Sequence, residues 1–99
     1  MISFKHIEDS YNRIKNYVNL TPILESQKLN EITNSRILIK AECLQKTGSF
    51  KIRGAMNMIS QIKNNNNTVV APSSGNHAQG VASAANYLNF SSTLVMPRD

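Results

Sequence analysis

Two short stretches hold the residue types that chemistry needs. Residues 46–54 read KTGSFKIRG and residues 73–77 read SSGNH. In the first, Lys51 stands between Phe50 and Ile52, where a chain ordinarily buries apolar groups, and Gly48 and Gly54 flank the stretch. Ser49 is placed to cap a helix that starts near Lys51. The positive end of that helix dipole and partial burial both disfavour an ammonium, so the lysine is expected to titrate below its usual value. A neutral amine attacks aldehydes. The competing reading is a solvated lysine whose stem lies over apolar neighbours. The second stretch offers the Ser73 and Ser74 hydroxyls, the Asn76 amide, the His77 imidazole and, at Gly75, a backbone that a ligand can approach closely. Together these can hold a carboxylate. The competing reading is a strand-to-helix turn capped by Ser74, and His77 alone is more often structural than an acid or base.

Other chemistries lack their residues. Neither Gly48 nor Gly75 opens a GxxxxGK[ST] run, which excludes that kind of nucleotide loop. Cys43 has no cysteine partner, and His6 and His77 fall on separate elements, so no metal set is expected.

The elements that must carry the two stretches follow from periodicity. Phe4, Ile7, Tyr11, Ile14 and Val18 recur at steps of three and four, which predicts a helix begun by Ser3 and ended by Thr21-Pro22. The segment ESQKLNEITNS is polar and ambiguous. RILIKAE (36–42), TVVAP (68–72) and STLVMP (92–97) read as strands. Ile52, Ala55, Met56, Ile59 and Ile62 mark the buried face of one intervening helix; Ala78, Val81, Ala82, Ala85 and Leu88 mark that of the next. Alternating strands and helices predict parallel α/β units. If the three strands are parallel neighbours, KTGSFK and SSGNH share the carboxyl edge of one sheet, where ligands bind, and each enters a helix N-terminus that favours anions. No helix follows VMPRD to cover the last strand, so the chain reads as a fragment.

With 99 residues the chain is long enough for one small domain but not two complete ones. There is no long apolar run, so no membrane span is expected, and MISFKHIEDS lacks the apolar block of a signal peptide. Net charge is +5, yet its lysines and arginines are scattered rather than striped, which argues for a solvated surface and against nucleic-acid binding. A single cysteine fits a reducing, cytoplasmic setting.

The segments LTPIL, LIKAECLQKTGSFKIRGAMN, APSSGNHAQGVA and LVMP together span nearly the whole chain. They resemble the amino-terminal part of pyridoxal-phosphate (PLP) enzymes of the tryptophan-synthase-β fold type, fold type II, in the threonine dehydratase and serine racemase branch. His77 favours that branch over cysteine-synthase relatives, whose loop usually reads like SGNTG. The resemblance implies an α/β fold with a three-layer, parallel-type sheet, here incomplete. Residues 1–66 would be the amino-terminal part of the large PLP-binding domain and 67–99 the start of the small domain, with the remainder absent.

It also implies roles. Lys51 matches the lysine that forms the Schiff base with the pyridoxal 5'-phosphate aldehyde and later moves the α-proton. Phe50 matches a phenylalanine packed near the cofactor ring, and Asn76 an asparagine that hydrogen-bonds its 3′-oxygen. Ser73, Gly75, Asn76 and His77 match the loop that binds the substrate carboxylate. Ser74 matches the hydroxyl on the ring's other side, the second acid/base of racemases and a position that is commonly Ser in dehydratases as well. Lys46, Thr47 and Ser26 match positions that meet a nucleotide effector in some serine racemases, although Gln27 departs from the serine often found there. The implied reaction is conversion of L-threonine or L-serine to a 2-keto acid and ammonia, with serine racemisation as the alternative and a homo-oligomer as the full-length state. The family's phosphate-binding glycine loop, the group at its pyridine nitrogen and its metal ligands lie further along than these residues reach. A catalytically inactive remnant is therefore the third reading.

Overall fold

The computed structural model describes residues 1–63 and 65–98. The elements run α1 (Phe4–Ile14), β1 (Ile23–Glu25), α2 (Gln27–Thr33), β2 (Leu38–Lys40), two single 3₁₀ turns (Glu42–Leu44 and Lys46–Gly48), α3 (Lys51–Ile59), β3 (Thr68–Pro72), α4 (Asn76–Tyr87) and β4 (Ser91–Val95). The fold is mixed α/β, as expected, but its strands are not in one sheet.

Among the described residues there are two two-stranded sheets. β3 and β4 pair in parallel, from Thr68 opposite Ser91 to Pro72 opposite Val95, with α4 as the crossover between them. β2 does not join them. It pairs antiparallel with β1, Ile23 opposite Lys40 and Glu25 opposite Leu38. The expectation of one parallel sheet failed because β1 is only three residues long, too short to show an alternation, and sits inside a stretch that reads as loop. The same stretch hides α2. Ser26 Oγ accepts the Leu29 N–H at 3.3 Å to start this helix, and Asn34, left-handed at φ 49°, ends it.

α1 also stops earlier than its apolar stripe does. The Tyr17 N–H turns back to the Ile14 carbonyl at 2.8 Å, closing a tight turn well before Pro22, so Thr21-Pro22 is not its terminator. Of the stripe, Ile14 is buried while Phe4, Ile7 and Tyr11 are exposed.

The core lies between α3 and α4 and over the β3–β4 pair. Ile14, Ile52, Ala55, Met56, Ile59, Ala71, Val81, Ala84 and Ala85 form one cluster, and Tyr17, Val18, Ile62, Val69, Leu88, Phe90 and Leu94 pack against it. The predicted face of α3 is therefore the buried one. On α4 the seam includes Gly80 and Ala84, which the periodicity did not pick out, while Ala82 is only half-buried. The expected domain division at 66/67 falls between α3 and β3, and α3 and α4 on either side share this cluster.

Ile52 is fully buried and Phe4 is 72% exposed. Ile52→Ala should therefore lower stability by about 2–5 kcal/mol through lost transfer energy and a residual cavity. Phe4→Ala should stay within about 0.5 kcal/mol. Urea melts of the two variants against wild type check the contrast.

Candidate functional site

The Lys51 turn is held from both sides by side-chain amides and charges. Gln45 is buried, and its Oε1 accepts the Asn19 and Lys46 N–H groups, both at 2.9 Å, while its Nε2 donates to the Asn19 carbonyl at 2.9 Å. One amide thus ties the turn to a segment 26 residues upstream. Glu42 does the same with charge. Arg53 Nε donates to Glu42 Oε2 at 2.8 Å and Nη2 to Oε1 at 2.7 Å, a two-pronged fork. Thr21 Oγ1 donates to the same Oε1 at 2.6 Å, and Lys40 Nζ lies 3.9 Å away. Arg53 follows Lys51 by two positions, about 200° around the helix. The fork grips the side of the first turn roughly opposite Lys51 and so sets the rotation of α3.

The backbone between these anchors is strained. Thr47 has φ 63° and Gly48 φ 70°, both left-handed. Glycine takes that conformation freely, but a β-branched threonine does not. Thr47 Oγ1 is moreover buried without a hydrogen-bond partner among the described residues. Two unfavourable features thus fall on one residue, four positions before Lys51.

Lys51 opens α3. Its N–H reaches Ser49 Oγ at 3.4 Å, but the N-cap position is Phe50, which has no side-chain cap bond, so the expectation that Ser49 caps α3 is corrected. Lys51 is exposed, with Nζ 5.1 Å from the Phe50 ring centroid, and Phe50 is 59% exposed. The expectation of partial burial for the lysine is thereby corrected: in this chain an amine and a flat aromatic face stand open together at a helix N-terminus. Lys46 lies over the Tyr87 ring at 5.6 Å, and Tyr87 meets Tyr17 edge-on at 4.7 Å, which seats the preceding turn on the far end of α4.

The second stretch follows β3. The Ser73 N–H donates to the Val95 carbonyl at 3.1 Å, just beyond the parallel ladder. Ser73 Oγ then accepts the Gly75 and Ala78 N–H groups, each at 3.2 Å. Ser73, not Ser74, supplies the side-chain cap of α4; the sequence places two serines before the glycine and does not say which one turns inward. Ser74, Gly75, Asn76 and His77 are exposed. Asn76 and His77 form the first turn of α4, and His77 borders a cleft of about 340 Å³ with α3 and β3.

The two stretches are brought together through their helices. α4 lies along α3 and touches the Lys51–Ile52 peptide at Gly80, one turn beyond Asn76. Lys51, Phe50 and the Ser73–His77 loop thus sit at two helix N-termini that share a seam, where N–H groups and dipoles favour anions. Ser26 lies at the head of α2, where its hydroxyl serves as the cap. Sequence reasoning missed Thr21, Glu42, Gln45, Arg53 and Gly80. Only Glu42 and Arg53 left a signal, an opposite-charge pair 11 residues apart. Among the described residues no three His, Cys, Asp or Glu side chains converge as a metal set, and no helix is long and apolar enough to cross a membrane.

The Arg53 fork, aided by the Thr21 hydroxyl and opposed by burial, holds the Glu42 carboxyl down from its ordinary 4.5 to about 2. A folded value below the unfolded one contributes stability that is complete above the unfolded value and is lost as pH falls toward the folded one. The thermal midpoint should therefore drop on acidification from about pH 5 to about pH 2, and Glu42→Gln should be less stable at neutral pH and less sensitive to acid across that window. Thermal melts over the pH series read both effects.

Comparison with known proteins gives a consistent result. The sequence profile of the family described as "Pyridoxal-phosphate dependent enzyme" matches residues 14–99. The chain is 47% identical over 100 residues to L-threonine ammonia-lyase of Thermotoga maritima, covering 99% of this chain and 25% of that protein. It is 46% identical over 99 residues to L-threo-3-hydroxyaspartate ammonia-lyase of Saccharomyces cerevisiae, covering 98% of this chain and 30% of that protein. Serine racemase from Dictyostelium discoideum superposes with a TM-score of 0.92 at 37% identity, over 99% of this chain and 33% of that one. The chain spans about a quarter to a third of the length of the relatives it matches.

Proposed function

The chain belongs to the pyridoxal-phosphate dependent enzyme family, and from that premise we propose that Lys51 and the Ser73–His77 loop are the cofactor and substrate site of an ammonia-lyase acting on L-threonine or L-serine. The observation that carries this reading is the exposed Lys51 amine beside the open Phe50 ring, on a helix packed against the one that Asn76 begins. An amine for an aldehyde, a flat apolar face for a ring and N–H groups at helix ends for anions suit pyridoxal 5'-phosphate. When bound, that cofactor supplies an electron sink for the substrate carbon that carries the amino group.

The chain's own residues then have distinct tasks. Lys51 anchors the cofactor and carries a proton to and from the substrate α-carbon. Phe50 would pack near the cofactor ring, and the Asn76 amide would hydrogen-bond it. Ser73, through the α4 N–H groups it arranges, together with Gly75, Asn76 and His77, receives the substrate carboxylate. Ser74 is exposed and lacks a hydrogen-bond partner among the described residues, so its hydroxyl is open to act as the second acid/base. Serine racemisation is the second reading, supported by the likeness to serine racemase of Dictyostelium discoideum. Thr47, with its left-handed backbone and unpartnered buried hydroxyl, suits a group retained for a ligand rather than for stability.

The test is to mix the chain with pyridoxal phosphate, reduce with borohydride and map the modified lysine by peptide mass. One equivalent of label on Lys51, abolished in Lys51→Ala, is the expected result. Weak labelling spread over several lysines would overturn the assignment. Keto acid from L-threonine in a protein carrying this segment, lost with Lys51→Ala, would establish the lyase activity, and D-serine from L-serine instead would favour the racemase.

A further inference from the structure

Gly80 sits in the interior of α4, where glycine is the poorest ordinary helix former. A Cβ built there would lie 3.1 Å from the Lys51 carbonyl carbon, 3.2 Å from its oxygen and 3.1 Å from the Ile52 nitrogen. All three atoms belong to one peptide unit, the one that joins Lys51 to the helix it begins. We propose that Gly80 is a positioning residue, the spacer that sets the separation between Lys51 and the Ser73–His77 loop.

The contact can set a distance because an added Cβ would push backbone apart by a few tenths of an ångström between two buried faces. On α3 the peptide leads into Ile52 and Met56, which are 0% and 2% exposed; on α4, Ala84 and Ala85 are 0% exposed. The neighbour of the missing methyl is backbone rather than the end of a flexible side chain, so rotamer changes cannot absorb an added atom. Gly80 stands one turn beyond Asn76, so any displacement of α4 at this point moves Asn76, His77 and the loop leading to them relative to Lys51. Gly54 is the internal comparison. It too lies within a helix, yet a Cβ there would meet nothing within 4 Å. At 54 the packing leaves room for a side chain, whereas at 80 an added Cβ meets backbone at 3.1–3.2 Å.

The inference rests on reading Lys51 and Ser73–His77 as one site, and the experiment separates the two claims. Gly80→Ala, Gly54→Ala and Ala84→Gly are made in the full chain. Thermal midpoints are measured first, and then the borohydride-trapped pyridoxal phosphate label on Lys51 relative to the other lysines, at a temperature where each variant is folded. Gly54→Ala should raise the midpoint, while Gly80→Ala and Ala84→Gly should both lower it. Only Gly80→Ala should reduce the preference for Lys51, by about tenfold, because a small displacement of reacting groups is costly out of proportion to its size. Ala84→Gly loosens the same seam without touching the Lys51 peptide, so a merely structural role would affect both variants alike.

Selective labelling in wild type that Gly80→Ala leaves unchanged, or a Gly80→Ala midpoint above wild type, would overturn the spacer role alone. Unselective labelling in wild type would overturn the site reading and the spacer role with it. If Gly80→Ala has no cooperative transition, a nuclear Overhauser contact between Gly80 Hα and the Ile52 amide proton in wild type decides: its presence supports the spacer role and its absence overturns it.

Discussion

The close approach of α4 to the first peptide of α3 is the constraint on which the rest of the molecule depends. Two helices can run this near only if small residues line the seam, and α4 supplies Gly80, Ala84 and Ala85 where α3 supplies Ile52, Ala55, Met56 and Ile59. The β3–β4 pair contributes Ala71 to the same cluster and packs Val69 and Leu94 against it. Once α3 and α4 are fixed, so are their N-termini, and every candidate group lies on or just before one of them. The candidate groups are positioned by helix packing more than by the sheets, which among the described residues are two-stranded and too small to be stable by themselves.

A second layer of polar contacts decides how α3 is turned and how the chain enters it. Charged hydrogen bonds at the Glu42–Arg53 fork contribute about 1.5–3 kcal/mol each in partly buried settings, and the Gln45 amide adds three more hydrogen bonds. Against them stands Thr47. A left-handed threonine costs about 1–3 kcal/mol, and an unpartnered buried hydroxyl about as much again. The anchoring contacts outweigh these costs, which is why the turn keeps an arrangement that its own backbone disfavours. An energetic conflict of this kind, localised just before the candidate lysine, is where local rules are expected to give way to function.

Much of this was legible in the sequence. The chemistry of KTGSFK and SSGNH lies in adjacent residues, so the candidate groups could be named without a structure, and the 3.6-residue period picked out the buried side of α3. What was not legible is what acts at long range or below the resolution of a pattern. β1 is three residues long, and α2 carries no apolar stripe, which left one sheet expected where the described residues form two. The Gln45–Asn19 clasp joins residues 26 apart and the Thr21–Glu42 bond residues 21 apart. Which of two adjacent serines caps α4 depends on a turn geometry their shared chemistry does not encode. Lys51 was placed in a partly buried setting because its neighbours are apolar, yet Phe50 faces outward with it while Ile52 alone turns into the core.

The central claim is that the Lys51 turn and the Ser73–His77 loop form one binding site. Titration of the isotope-labelled chain with pyridoxal phosphate, followed residue by residue through backbone amide resonances, tests it most directly. The account predicts that the amides of residues 49–53 and of 73–78 shift together along a single saturation curve. Shifts confined to Lys51 and its neighbours, with the 73–78 amides unmoved at saturation, would contradict it.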